Sequence, residues 1–164
     1  MSKNIDIEKW LIRTLGHEGA YSNHEGDPGG ETKWGISKKS YPLLDIKNLS
    51  VQEAAEIYKR DFLEPLRYNE YHPGVGYQLF DLAVHSGVKQ AIKLLQKAIS
   101  VKQDGIIGPN TLRRLDNLSE SDLIFLLLAE RIEFLTDLPT WKIFGKGWMR
   151  RIAANLRYGA DDSE

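Results

Sequence analysis

Glu18 stands between two glycines, Gly16 and Gly19, just past a helical pattern carried by Ile7, Trp10, Leu11 and Leu15. A carboxyl group at the C-terminal end of a helix meets the partial negative charge of that terminus, which disfavours a second negative charge. With some burial added, its pKa rises and it keeps its proton at neutral pH, as a general acid for glycosidic cleavage must. A Glu ahead of a capping glycine is also often simply solvated, and placement alone leaves both readings open. Nine residues on comes Asp27, and five beyond it Thr32. A carboxylate followed by a hydroxyl is what a hydrolase uses to orient a water and stabilise positive charge at a sugar ring. Asp27 equally suits an Asx-type turn into Pro28-Gly29-Gly30, and Thr32 a turn cap or a strand position. Glu25 and Glu31 flank the same loop and compete for the second role. His17 and His24 lie nearby without the paired spacing of metal ligands, so neither metal nor cofactor is implied.

Other side chains are candidates for holding a substrate. Tyr21 and Trp34 lie inside the glycine-rich stretch and suit stacking on sugar faces, whereas Tyr41, Tyr58 and Tyr77 are assigned to the core. Asp81 sits on the largely apolar face of Leu79, Phe80, Ala83 and Val84. A buried charge survives there only when paired, so Asp81 reads either as a satisfied structural group or, with His85, as a polar contact in the active-site lobe.

The elements that must position these residues follow from the pattern. Asp6 is an N-cap for the first helix, which ends near Gly16 to Gly19. Residues 21–37 crowd Asn23, Gly26, Asp27, Pro28, Gly29, Gly30 and Gly35 into loop or short-hairpin chemistry. Ser50-Val51-Gln52-Glu53 has the capping-box form and opens a helix through Tyr58, with Pro65 beyond its end. A further helical face ends at Ser86-Gly87, and Ala91, Leu94, Leu95 and Ala98 make the next. Asp104-Gly105-Ile106-Ile107-Gly108-Pro109 is a tight connector with Pro109 in the first turn of a helix. Leu123 to Leu135 forms a helix started by Ser119 or Ser121. A last amphipathic segment runs through Trp148, Ile152, Leu156 and Tyr158 to a frayed acidic tail at Asp161-Asp162-Ser163-Glu164. The result is a mostly α chain with one irregular or β-containing lobe near residues 20–37.

Composition narrows the function. Twenty-two basic residues face 23 acidic ones, so broad attraction to nucleic acid or an anionic membrane is not the basis of binding. The chain has no cysteine, which excludes disulfides and thiolate metal sites. Met1 to Asp6 lacks the apolar run of a secretory leader, and no stretch reaches the ~20 apolar residues of a membrane span. The expectation is a protein made in the cytoplasm, without stable membrane insertion, that needs another component to let it out. The cationic residues Lys142, Lys146, Arg150, Arg151 and Arg157 suit either a solvated helix face or an anionic wall polymer.

Glu18-Gly19-Ala20-Tyr21 followed by Asp27-Pro28-Gly29-Gly30-Glu31-Thr32-Lys33-Trp34-Gly35-Ile36-Ser37 resembles the signature of the glycoside hydrolase family 108 muramidases. That lysozyme-like group contains phage endolysins and bacterial muramidases linked to holin-dependent protein secretion. The resemblance continues through Ile57-Tyr58-Lys59-Arg60-Asp61-Phe62 and Phe80 to Gly87. It also takes in Ala91 to Leu112, similar to the family's peptidoglycan-binding segment, and Arg131, Gly147-Trp148 and Arg151. Ala20 replaces a second Gly, Phe62 stands where an aromatic pair is common, and His85 replaces a common Asn. The Glu18, Asp27, Thr32 order also resembles that of the phage lysozymes of the T4 type, with one residue fewer before the Thr.

The resemblance implies a lysozyme-like helical fold, with a catalytic region over residues 1–90 and a C-terminal peptidoglycan-binding-like region over 91–164, packed as one compact unit. It implies Glu18 as the catalytic glutamate, Asp27 and Thr32 as its partners, and Tyr21, Trp34, Asp81 and His85 as substrate contacts. The implied activity is hydrolysis of the β-1,4 bond between N-acetylmuramic acid and N-acetylglucosamine by a monomer that depends on a holin-type pore. A lytic transglycosylase and a non-catalytic wall-binding module are the rival readings. A nucleic-acid binder is the poorest of the alternatives.

Overall fold

The computed structural model describes residues 5–16, 21–23 and 29–163. The chain divides into two compact units, Asn4–Asp61 and Phe62–Glu164, the latter grouped with the first three residues of the chain.

The smaller unit opens with α1 (Ile7–Leu15), capped by the Asp6 carboxylate accepting from the Lys9 N–H at 2.9 Å. Gly16 ends it with φ +64°, a left-handed conformation that glycine adopts without strain. Helix α2 (Val51–Tyr58) begins at Ser50 with both halves of the capping box: Glu53 N–H to Ser50 Oγ at 3.1 Å and Ser50 N–H to Glu53 Oε2 at 2.8 Å. The two helices pack together on Trp10, Leu11, Ala54 and Tyr58, all buried. Between them lies a hairpin, β1 (Thr32–Lys33) and β2 (Ile36–Ser37), paired antiparallel with Thr32 opposite Ser37 and Lys33 opposite Ile36. Helical bonding past Tyr58 widens into a π turn over Lys59–Leu63, at the junction of the two units and ahead of Pro65.

The larger unit is built on α3 (Pro73–Ser86), in which every residue from Gly74 to Ala83 is buried. Its first turn has no side-chain cap of its own. Glu120 supplies one instead, accepting the Gly74 N–H at 2.7 Å, and a Cβ on Gly74 would run into that same carboxylate. Around α3 pack α4 (Val88–Ala98), α6 (Glu120–Thr136) and α7 (Trp141–Asp162). Tyr77, Leu79, Phe80 and Leu82 are fully buried in the centre, and each such side chain contributes about 1.5–3 kcal/mol of transfer free energy. Helix α5 (Pro109–Asp116) follows the Asp104–Pro109 connector. The buried Gln96 holds that connector, donating to Asp104 Oδ1 at 2.9 Å and accepting from the Gly105 N–H at 2.9 Å.

The mostly α architecture with a small β lobe therefore agrees with the sequence pattern. The expected boundary at residues 90/91 falls inside α4. Two differences from the sequence pattern stand at the C-terminus: α7 begins seven residues before Trp148, and it runs on through Asp161 and Asp162, while Glu164 lies outside the described residues. Gly159 lets α7 approach α6 closely, since a Cβ there would meet Ile124 at 2.9 Å.

Candidate active site

Glu18 and Asp27, together with Glu25, His17 and His24, lie outside the described residues. What the structure shows is the scaffold on both sides of them. Ser22 and Thr32 exchange backbone hydrogen bonds at 2.9 and 2.8 Å, an antiparallel bridge that adds a third strand position to the hairpin. On the far side, Lys38 N–H donates to Glu31 O at 2.8 Å and Lys39 N–H to Gly29 O at 3.2 Å. Ser22 and Gly29, on either side of residues 24–28 in the sequence, thus both carry paired backbone.

The hairpin itself depends on Trp34 and Gly35. Both have positive φ, +53° and +72°, which gives the two-residue turn whose twist matches the flanking strands. Gly35 meets that demand without strain, and a Cβ there would also strike the Tyr58 hydroxyl. Trp34 is held in its unfavoured conformation from both ends. Its indole N–H donates to Leu49 O at 3.1 Å, and its carbonyl accepts from the Tyr58 hydroxyl at 3.0 Å. Burial raises the Tyr58 hydroxyl to about 12, so it remains a donor at any physiological pH.

Among the other expected site residues of this unit, Tyr21 donates its hydroxyl to Glu31 Oε1 at 2.7 Å, a bond that raises the phenol above its ordinary pKa. Thr32 is half-buried, and its hydroxyl donates to Gly30 O at 3.3 Å. Tyr21, Glu31, Thr32 and Trp34 therefore belong to one small hydrogen-bonded lobe. Nearby in sequence, Asp61 takes both prongs of Arg60, at 2.6 and 2.8 Å, and the Tyr41 hydroxyl at 2.5 Å. The Arg60 guanidinium holds the Asp61 carboxyl down at about 2, while burial and Asp61 push Tyr41 up to about 12.

Asp81 and His85 belong to the larger unit. Asp81 is 1 % exposed, and its carboxylate accepts from Arg131 at 2.7 Å, from Arg151 at 2.9 Å and from the Asn155 amide at 2.7 Å. Burial alone would raise its pKa, but the two guanidiniums more than offset it and the net shift is downward. With both oxygens occupied and solvent excluded, Asp81 is an internal anchor joining α3, α6 and α7. Arg131 and Asn155, equally buried, complete that anchor. The signal for Arg131 was in the sequence: it shares a helical stripe with Leu127, Leu128 and Leu135, and an arginine in such a stripe demands a buried carboxylate. His85 is half-buried, with Nδ1 3.2 Å from Arg131 and its ring edge-on to Trp148. Among the described residues no cluster of three or more His, Cys, Asp or Glu side chains could hold a metal ion.

The family description Glycosyl hydrolase 108 matches residues 11–87, a span that contains Glu18, the hairpin and all of α3. The solved structure of Brucella abortus SagA is similar over 96% of this chain and 96% of that one, at 30% sequence identity and a TM-score of 0.81. No match is found among curated proteins. A helical chain with this small hairpin lobe is thus a glycoside hydrolase of lysozyme-like type, acting on peptidoglycan. The chain belongs to the glycosyl hydrolase 108 family.

Proposed function

We propose that the protein is an N-acetylmuramidase that hydrolyses the β-1,4 bond between N-acetylmuramic acid and N-acetylglucosamine, with Glu18 as the general acid. The observation that carries this reading is the family match over residues 11–87, which takes in the whole sequence from Glu18 to Ser37. Glu18 protonates the leaving oxygen. Asp27 and Thr32 position the attacking water or stabilise the cation that develops at the sugar ring. The Ser22–Thr32 bridge supports these roles by holding together two residues that flank Asp27 in the sequence. Tyr21 and Trp34 contribute ring faces, each with its polar atom already satisfied within the lobe.

The region from residue 91 onward contacts the wall and leaves the bond-breaking to residues 1–90. Among the described residues no helix is long and apolar enough to cross a membrane. In this reading the enzyme reaches the wall as a monomer through a holin-type pore, at lysis or during protein release. Digestion of purified sacculi followed by mass spectrometry tests the reaction. Products ending in reducing muramic acid support hydrolysis; 1,6-anhydromuramic acid ends would make the protein a lytic transglycosylase instead.

A further inference from the structure

A cluster of rings lies in the larger unit, on the first turns of α7 and the end of α3. Trp148 is its centre. His85 meets it edge-on with centroids 5.7 Å apart, Phe144 lies 5.9 Å away at 33°, and Trp141 lies 6.2 Å away at 46°. Positions 141, 144 and 148 recur at spacings of three and four, so the three α7 rings share one helix face. Rings gathered for a core would be covered, yet Phe144 is 52% exposed and Trp141 and Trp148 are only half-buried. Gly145 has a defined part in this arrangement. A Cβ there would come within 2.7–2.9 Å of three atoms of the Trp141 indole, so the indole lies flat against bare helix backbone.

Along the same helix the charges are one-signed. From Trp141 to Tyr158 the helix carries Lys142, Lys146, Arg150, Arg151 and Arg157 and no Asp or Glu, in a chain whose net charge is −1. His85 adds a directional group. Arginine has only donors, so the Arg131 bond to Nδ1 uses the ring's lone pair and leaves the hydrogen on Nε2. Burial, with the Arg131 and Arg151 charges, pulls His85 down to about 4, and the ring stays neutral at physiological pH.

We propose that Trp141, Phe144 and Trp148 form a stacking platform for a pyranose ring of the peptidoglycan strand, with His85 Nε2–H as a hydrogen-bond donor beside it. The flat C–H face of a pyranose suits an aromatic surface, and its hydroxyl and acetamido oxygens accept from a neutral N–H. The cations of the helix, Arg151 apart, attract the carboxylates of the wall's stem peptides at longer range. This inference rests on the peptidoglycan reading for its ligand but not on the identity of the catalytic acid.

The test is co-sedimentation of the full chain with purified sacculi, using protein that carries Glu18→Gln so that the sacculi are not consumed. Trp141→Ala and Phe144→Ala should each weaken binding about three- to tenfold, with melting temperatures close to the parent's. His85→Ala should weaken it about threefold, and His85→Asn, which keeps an acceptor for Arg131 and an outward N–H, should restore it. Sacculus binding unchanged in both ring variants would overturn the platform. So would a loss confined to phosphatidylglycerol vesicles, which would assign the rings to a lipid surface, or a dimer that dissociates on Phe144→Ala, which would assign them to a second copy. Wall clearing by Glu18→Gln protein would sink the catalytic reading, and binding by the ring variants would then be read on ice before the sacculi are consumed, so the two failures are separable.

Discussion

Replacing Asp81 by Asn removes one negative charge from a place where two cations converge. Arg131 is as buried as Asp81, each 1 % exposed at the side chain, whereas Arg151 keeps 30% of its side-chain surface in solvent. Arg151 can turn outward and hydrate; Arg131 cannot, and it is left charged and unpaired in the core. Breaking a buried pair in this way costs about 3–5 kcal/mol. Whichever way the new amide turns, the donors at one of the two former carboxylate oxygens meet its NH2 group, so the hydrogen bonds are not fully recovered. For a chain of this size about 2–4 °C of melting temperature go with each kcal/mol, which predicts a fall of roughly 6–20 °C in the unit that contains α3, α6 and α7. Circular dichroism melts read the shift directly. The paired replacement Asp81→Leu with Arg131→Met removes both buried charges and should recover most of the loss, since apolar groups of similar volume often replace a buried ion pair without penalty. A fall of less than about 3 °C for Asp81→Asn, accompanied by loss of sacculus binding, would refute the anchor role and make Asp81 a substrate contact.

Three other outcomes follow from the same coordinates. Gly35→Ala places a Cβ against the Tyr58 hydroxyl at a φ of +72° and should cost about 2–4 kcal/mol, read in urea unfolding together with loss of wall clearing. Ser50→Ala removes one half of the α2 capping box and should cost about 1 kcal/mol by the same assay with activity retained. His85 is held neutral down to about 4, while in the unfolded chain it titrates near 6.5. Between those values the unfolded state binds more protons, so stability present above pH ~6.5 is lost as the pH falls toward 4. Discounted for its partial exposure, that contribution is about 1–2 kcal/mol, and His85→Asn should flatten the stability profile over that window.

Local signals in the sequence located most helix boundaries because they are set by single residues. Asp6, Gly16, Ser50 and Pro109 start or stop helices where their caps and φ preferences require, and Ser119, one of two candidates, caps α6 through Asp122 N–H. The π turn at Lys59–Leu63 had no such marker. Pro65 marked an ending helix, and widening of the bonding pattern depends on packing more than on residue type. The hairpin was legible as a glycine-rich break but not as a turn with Trp at positive φ. That conformation survives on bonds from Leu49 and Tyr58, both far away in sequence. Asp81 shows the same limit. An acid on an apolar face announces a partner, but the partners lie 50, 70 and 74 positions on, and only the fold brings them together. Glu18 and Asp27 lie outside the described residues, so their assignment rests on the sequence and the family.

The central claim is therefore tested most directly at Glu18. Turbidity clearing of purified cell walls by Glu18→Gln protein should fall by about 10²–10⁴-fold, the usual contribution of a positioned general acid, with the melting temperature and sacculus binding unchanged. Clearing at an undiminished rate would contradict the account.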